Sequence, residues 1–109
     1  MTRNKVETGF LKGLAKKVLE REDRGELELS IALVGQKRIK ELNKKYRKKD
    51  KPTDVLSFSY GDAGEIVICP EEVRKNARKY QSTFKKELGR VLIHGILHLL
   101  GYNHREMAK

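Results

Sequence analysis

Three histidines near the carboxyl end of the chain have the spacing of a metal site. They are the only histidines among the 109 residues and form the pattern H-x3-H-x5-H at His94, His98 and His104. Histidines four residues apart lie on one face of a helix, about 5–6 Å from each other, so both imidazoles can bind one ion. Gly101 allows the chain to reverse, which can bring His104 back as a third ligand. Three nitrogen ligands with an open fourth position are typical of catalytic zinc.

Other metal and protease chemistries fit these residues less well. Cys69 is the only cysteine, which excludes both a thiolate-rich zinc site and a disulfide framework and makes a reducing, cytoplasmic setting the default. We expect Cys69 to be a buried small apolar residue. The spacing H-x3-H-x2-G-x2-H also matches metzincin proteases, in which a glutamate general base follows the first histidine. Gly95 occupies that position here, so a metalloprotease is a remote alternative that needs a carboxylate from elsewhere.

The net charge of +10 is concentrated in two segments. Residues 36–51 carry nine basic and two acidic residues, and residues 74–90 carry seven basic residues and one acidic residue. Between them, residues 52–73 carry five acidic residues and no lysine or arginine. Clustered positive charge predicts a polyanionic partner, most often a nucleic acid. The alternative is a solvated basic face, as in thermophilic proteins rich in charged residues.

Hydrophobic periodicity predicts the elements that must position the histidines. Helices are predicted over residues 4–21, 36–46, 70–80 and 83–100, and strands over residues 26–34, 55–59 and 65–69. The order α-β-α-β-β-α-α predicts an α+β fold, with a small sheet of about three to four strands and helices packed on it. In the second helix, Ile39, Leu42 and Tyr46 lie on one stripe.

The last predicted helix separates its histidines from its main apolar stripe. At about 100° per residue, one stripe contains Glu87, Val91, His94, His98 and Gly101. The opposite side contains Leu88, Leu92, Ile96 and Leu99, which we expect to face the core. The histidines are therefore expected to be segregated from the main apolar stripe.

Length and hydropathy predict one domain over residues 1–109 that is not associated with a membrane. Apolar residues make up 38% of the chain, which is enough for a modest core. The longest apolar runs are four residues, as in residues 31–34, far below the roughly 20 needed to span a bilayer. The first residues show no secretory signal.

Three blocks of the sequence resemble the YbeY endoribonucleases. The blocks are LNKKYRKKDKPTDVLSF at residues 42–58, GEIVIC at residues 64–69 and HGILHLLGYNH at residues 94–104. The first and last are similar to the family patterns LNxxYRxKDxPTDVLSF and HGxLHLxGYDH. Members of this family are bacterial zinc proteins that mature ribosomal RNA, notably the 3′ end of the small-subunit RNA. Their fold is α+β with a mixed sheet.

This resemblance implies a zinc-dependent endoribonuclease that acts in ribosomal RNA maturation and ribosome quality control. It implies that His94, His98 and His104 bind Zn²⁺, and that His94, His98 and Arg47 are catalytic. A guanidinium contacts two phosphate oxygens at once, so Arg47 is expected to grip a phosphate or stabilise charge that develops on it. RNA, including ribosomal RNA and the ribosome, is the expected partner. The residues expected to bind it are Arg47, Lys48, Lys49 and Lys51.

Mechanism and function each have an open alternative at this level. Either a zinc-bound water attacks the phosphodiester, or the RNA 2′-hydroxyl attacks while zinc acts as a Lewis acid. Glu87 and Asp54 are the candidates for a general base. The alternative function is a non-catalytic RNA- or ribosome-binding module in which zinc stabilises the carboxyl end of the chain.

The sequence departs from the family pattern at three places. Asn103 stands where the pattern has aspartate, so it keeps hydrogen-bonding capacity without the negative charge. Ser59 and Tyr60 follow the SF of the first block, where most members have proline. The sequence ends at Lys109, where relatives continue into a C-terminal helix, so we expect a shortened member of the family.

Overall fold

The computed structural model describes the backbone of residues 2–101 and the side chains of residues 8–101. This part of the chain contains four helices: α1 (Thr2–Arg21), α2 (Gln36–Arg47), α3 (Pro70–Lys79) and α4 (Phe84–Leu99). It also contains three strands: β1 (Glu28–Leu33), β2 (Val55–Tyr60) and β3 (Ala63–Ile68). The predicted α+β class and element order are confirmed, and each end differs from its prediction by no more than two residues. No helix in the described part is both long and apolar enough to cross a bilayer.

The three strands form one mixed sheet in the order β1-β3-β2. The central strand β3 pairs in parallel with β1, where Ile66 lies opposite Ile31, and antiparallel with β2, where Ile66 lies opposite Ser57. Burial of Ile66, Val67 and Ile68 explains the unbroken apolar run in β3, because a central strand is covered on both faces. Strand β2 is at an edge of the sheet. It lines one cleft together with the carboxyl ends of α2 and α4.

The two faces of the sheet are covered unequally. Helices α1 and α4 cover one face with a large cluster whose fully buried members include Leu11, Ile66, Leu92 and Ile96. Helix α2 covers the other face with a smaller cluster: Ile39, Leu56, Val67 and Cys69. Because successive residues of a strand face opposite sides, β2 presents Ser57 to α4 and Leu56 to α2. One short edge strand therefore connects both layers of helices.

Helix α4, which carries two of the histidines, has well-defined ends. Its N-cap Thr83 accepts a hydrogen bond from the backbone N–H of Lys86 at 3.1 Å. After its last turn, Gly101 adopts a positive φ of 99°, which glycine tolerates without a steric penalty. The predicted end of the helix is therefore confirmed, and the chain leaves its axis at Gly101.

The histidines of α4 lie apart from its main apolar stripe, as predicted, but their own stripe is not exposed along its whole length. Leu88, Leu92 and Ile96 are buried as expected. Glu87 and Val91, on the histidine stripe, are also buried, in a helix that packs against α1, α3 and the sheet. Only the part of the stripe from His94 onward faces a cleft.

Candidate active site

A cleft of about 710 Å³ lies along the β2 edge of the sheet. Strand β2 lines it along its whole length. Helix α2 contributes Arg47, and helix α4 contributes His94, Gly95 and His98. The fold therefore brings the predicted catalytic arginine and two of the predicted metal ligands into one cleft, although they are far apart in the sequence.

The two described histidines form a close pair on the last turns of α4. The ring centroids of His94 and His98 are 4.9 Å apart, and the ring planes are inclined by 54°. His94 is half-buried and His98 is exposed, so the pair borders the solvent of the cleft. Two imidazoles one helical turn apart are suitable ligands for zinc and similar transition metals. The donor set and its spacing therefore fit two corners of a metal site.

The third predicted ligand, His104, lies outside the described residues, as does Asn103. Within the part of the chain that the structure describes, no group of three or more histidine, cysteine, aspartate or glutamate side chains is placed to hold a metal ion. Cys69 is fully buried on the α2 face of the sheet, where burial raises the pKa of its thiol. Its predicted role as a small apolar residue is confirmed.

Gly95 sets the distance between α4 and the sheet. A Cβ atom at this position would lie 3.1 Å from Val55 Cγ2, 3.2 Å from Ser57 Oγ and 3.3 Å from Ile66 Cγ2. The Ser57 hydroxyl donates a hydrogen bond of 2.7 Å to the carbonyl of Gly95. The close contact and this bond hold the histidine-bearing turns against β2. A glutamate at position 95 would point into the packed sheet, so the metzincin general base is excluded by packing as well as by sequence.

Arg47 is the last residue of α2 and is held at the cleft by the structure of the helix end. Lys48 terminates the helix in the left-handed conformation, with a φ of 58°. The buried Asn43 donates a hydrogen bond of 2.8 Å from Nδ2 to the carbonyl of Lys51. This bond folds the basic loop back on α2, while the Arg47 side chain is exposed and lines the cleft.

The lysines predicted to bind RNA lie on the α2 side of the cleft. Lys49 and Lys51 line a second pocket of about 350 Å³. Arg47 and Asp54 line both this pocket and the main cleft, so the two are adjacent. Lys48 is exposed in the same loop. The four predicted RNA-binding residues are therefore contiguous, and Arg47 links the pocket to the cleft.

The two candidate general bases lie in different places. Asp54 lines the cleft, and its carboxylate accepts hydrogen bonds from Asn76 Nδ2 at 3.1 Å and from Thr53 Oγ1 at 3.4 Å. Glu87 is only 3% exposed and does not line the cleft. Both of its carboxylate oxygens accept a hydrogen bond of 3.1 Å from Arg90 Nε. Glu87 therefore has a structural role, and Asp54 is the described carboxylate that lies in the cleft.

Sequence reasoning missed the aromatic residues of the cleft. Tyr46 and Tyr60 are 57% and 62% exposed. Phe58 packs edge-on against Tyr46, with ring centroids 5.1 Å apart. The residue alternation in β2 was the available signal, since it places Phe58 and Tyr60 on the same face of an edge strand.

Comparison with known proteins decides the family. The sequence profile described as Endoribonuclease YbeY matches residues 1–109. The chain belongs to the YbeY endoribonuclease family. Curated relatives named Endoribonuclease YbeY include those of Thermotoga neapolitana, 48% identical over 99 residues, and Persephonella marina, 41% identical over 109 residues. These alignments cover 87% and 92% of this chain.

The chain spans only part of the length of the YbeY relatives that it matches. It spans 66% of the Thermotoga neapolitana protein and 71% of the Persephonella marina protein. The solution structure of TM1509 from Thermotoga maritima has a similar fold, with a TM-score of 0.65 and 42% sequence identity. That match covers 92% of this chain and 68% of the other. The resemblance seen in the sequence blocks is thus confirmed at the level of family and fold.

Proposed function

We propose that this protein is a cytoplasmic, zinc-dependent endoribonuclease that acts in ribosomal RNA maturation, at the 3′ end of the small-subunit RNA, and in ribosome quality control. One observation carries the proposal: Arg47 and the His94–His98 pair line the same cleft. An arginine that binds phosphate beside a pair of metal-binding imidazoles is suited to phosphodiester cleavage. The family match supports the choice of RNA as substrate, since the family is described as an endoribonuclease.

In this proposal His94, His98 and His104 hold the metal. The spacing of the His94 and His98 rings fits this role. The role of His104 remains a prediction from the sequence. When bound, zinc supplies Lewis acidity that makes a phosphate more electrophilic or water more acidic. The imidazoles are required in their neutral form, so metal affinity is expected to fall as the pH decreases.

The remaining steps are assigned to groups of this chain. Arg47 contacts two oxygens of the scissile phosphate and stabilises the negative charge that develops there. The loop lysines Lys48, Lys49 and Lys51 bind neighbouring phosphates of the strand. Asp54, whose carboxylate accepts a hydrogen bond from Asn76, is assigned the role of accepting a proton from the attacking hydroxyl group. A 2′,3′-cyclic phosphate product would identify that group as the RNA 2′-hydroxyl, and a linear phosphate would identify it as water.

The test measures zinc content and RNA cleavage together for the wild type, His98→Ala and Lys86→Ala. Lys86 is exposed at the other end of α4, so its variant controls for substitution in the same helix. We expect His98→Ala to lose zinc and cleavage together while retaining its helical content by circular dichroism. Lys86→Ala should retain both.

Two outcomes would contradict the proposal. Full cleavage by metal-free protein would remove the role of zinc. Salt-sensitive RNA binding by zinc-loaded wild type, without any cleavage, would favour the alternative of a non-catalytic RNA-binding module. In that case, chelation should still lower the melting temperature strongly, because zinc would then act on the fold alone.

A further inference from the structure

Three aromatic side chains form a surface that the proposed chemistry does not use. Tyr46, Phe58 and Tyr60, here called the aromatic ridge, line the main cleft. The same three residues also line a neighbouring groove of about 310 Å³ on the α2 face of the sheet, together with Arg38 and Glu65. The aromatic ridge therefore connects the cleft that holds Arg47 and the histidines with a second groove.

The two tyrosines of the aromatic ridge are unusually exposed for this molecule. Among the side chains that the structure describes, the large apolar ones that are exposed are Tyr46, Tyr60 and Tyr80. Two of these three belong to the aromatic ridge, and Tyr80 lines neither the cleft nor the groove. Exposed aromatic groups concentrated at one cleft indicate a binding surface, because burying them within the fold would be more favourable if nothing bound there.

The surroundings of the aromatic ridge favour a nucleobase over an apolar protein segment. Lys45 Nζ lies 5.3 Å from the centroid of the Tyr46 ring, and Arg38 lines the groove beside it. Arg47 and all three residues of the aromatic ridge line the same cleft, so a phosphate held by Arg47 leaves its nucleoside within reach of the ridge. A flat aromatic group linked to a phosphate matches an aromatic surface bordered by cations.

We propose that the aromatic ridge stacks an unpaired base of the RNA strand, adjacent to the phosphate that Arg47 binds. The inference rests on the proposed function and extends it by naming the residues that position the strand. Phe58 braces Tyr46 through the edge-on contact, and the exposed ring of Tyr60 provides an accessible face. Stacking on an aromatic face accepts any base, so the ridge determines the position of the strand rather than its sequence.

The test combines Tyr60 variants with RNA that lacks one base. An unstructured RNA decamer is compared with versions in which a single abasic site is placed on either side of the cleaved phosphate. For intact RNA, Tyr60→Ala should raise KM and the dissociation constant about tenfold with a much smaller change in kcat. Tyr60→Phe should restore wild-type values, and Tyr60→Leu should not, because it retains apolar area but has no aromatic face.

The abasic RNA separates stacking from a structural role. When the abasic site replaces the stacked base, wild type and Tyr60→Ala should bind the RNA equally, because the stacking contact is then already absent. The matched control is Tyr80→Ala, which removes a tyrosine of similar exposure, 60% against 62%, outside the cleft and should bind intact RNA as the wild type does. Equal losses for intact RNA and for every abasic RNA would overturn the proposal, as would full function of Tyr60→Leu.

Binding measured in the presence of chelator makes this test independent of cleavage. If the Tyr60 variants and the abasic RNA show coupled losses of affinity but no condition gives cleavage, the ridge is supported and the proposed enzymatic function fails. If zinc-dependent cleavage occurs and Tyr60→Ala equals wild type in KM and affinity, the ridge proposal fails and the function stands. The second result would leave the aromatic ridge as a candidate contact for another protein.

Discussion

Two segments of this chain are similarly basic, yet they lie in different surroundings. Residues 36–51 form α2 and the loop that follows it. Residues 74–90 form the second part of α3, the connecting turn and the first part of α4. In the first segment, Arg47, Lys49 and Lys51 line the main cleft or the pocket beside it. These cations therefore border space that a ligand can occupy.

In the second segment, several of the cations have partners within the protein. Arg90 binds the carboxylate of buried Glu87, and the Arg74 guanidinium lies 4.5 Å from the centroid of the Phe84 ring. Lys85 Nζ lies 5.0 Å from the centroid of the Phe10 ring. Charge density thus predicts the class of partner, while the position of the binding site depends on which cations meet a cleft.

The strongest expected difference between the segments concerns Arg47. Arg47→Ala should lower kcat/KM for RNA by about 10²–10³, the cost of removing one preorganised group that stabilises the transition state. Arg47→Lys should recover only part of this loss, because an ammonium group cannot make the bidentate contact. Zinc content should be unchanged in both variants.

Arg78→Ala provides the control for this comparison, because Arg78 is an exposed arginine of the second segment. It should cleave RNA as the wild type does. Similar losses in Arg47→Ala and Arg78→Ala would show that net charge, and not the position of the guanidinium at the cleft, determines activity.

Substitution of Arg90 is expected to lower stability and to leave RNA cleavage unchanged, because the role of Arg90 is structural. Arg90→Met leaves the buried carboxylate of Glu87 without its partner and should lower the free energy of unfolding by about 1–3 kcal/mol. Urea unfolding measures this change, and RNA cleavage per folded molecule should be retained. The double variant Glu87→Gln/Arg90→Met should recover part of the stability. A double variant less stable than Arg90→Met would contradict this explanation.

Salt dependence distinguishes the lysines of the two segments. Replacing Lys49 and Lys51 with glutamine should reduce the slope of log affinity against log salt by about 1.4, if each lysine neutralises one phosphate of single-stranded RNA. The matched pair, Lys79→Gln/Lys86→Gln, removes the same charge from the second segment and should leave the slope unchanged. The comparison fails if both pairs reduce the slope equally.

The smallest effect is expected at Glu72, which links the two segments. Burial opposes ionisation of Glu72, but hydrogen bonds from Gln36 Nε2 at 2.7 Å and Lys75 Nζ at 3.1 Å outweigh it and hold its pKa below the ordinary value. A lowered pKa stabilises the fold above the pKa of the unfolded chain, and this stabilisation is lost as the pH falls through the folded-state pKa. Glu72→Gln should therefore reduce the free energy of unfolding at pH 7 by about 1 kcal/mol or less.

The pH dependence of unfolding tests the sign of this effect. The difference in stability between wild type and Glu72→Gln should shrink as the pH is lowered below the ordinary range of glutamate. A difference that stays constant between pH 7 and pH 3 would show that the carboxylate charge is not its cause.

Local chemistry in the sequence predicted the elements well. Helix α3 begins at its predicted residue, Pro70, helix α4 begins one residue after its predicted start, with Thr83 as its N-cap, and the strand predicted over residues 65–69 is the central strand. These features depend on neighbours within a few residues, so the pattern contains the necessary information. The spacing of His94 and His98 is also a local feature, because the two residues are one helical turn apart.

Contacts between distant segments could not be predicted in this way. Burial of Glu87 depends on how α4 packs against the other elements, which helical periodicity does not include. The exposure of Tyr46 depends on where α2 ends relative to the edge of the sheet. The arrangement of Arg47 beside the histidines was expected only from family resemblance, because it requires the complete path of the chain between them.

The missing side chain at Gly95 has a consequence for engineering this fold. Because side-chain atoms of Val55, Ser57 and Ile66 lie 3.1–3.3 Å from the place of a Cβ, even alanine at this position requires its neighbours or the helix to move by a few tenths of an ångström. A movement of α4 by this amount would shift both imidazole rings relative to Arg47 without a change in any of these three residues. Redesign of this scaffold for a new substrate should therefore keep residue 95 as glycine and introduce any additional acid or base from the α2 side.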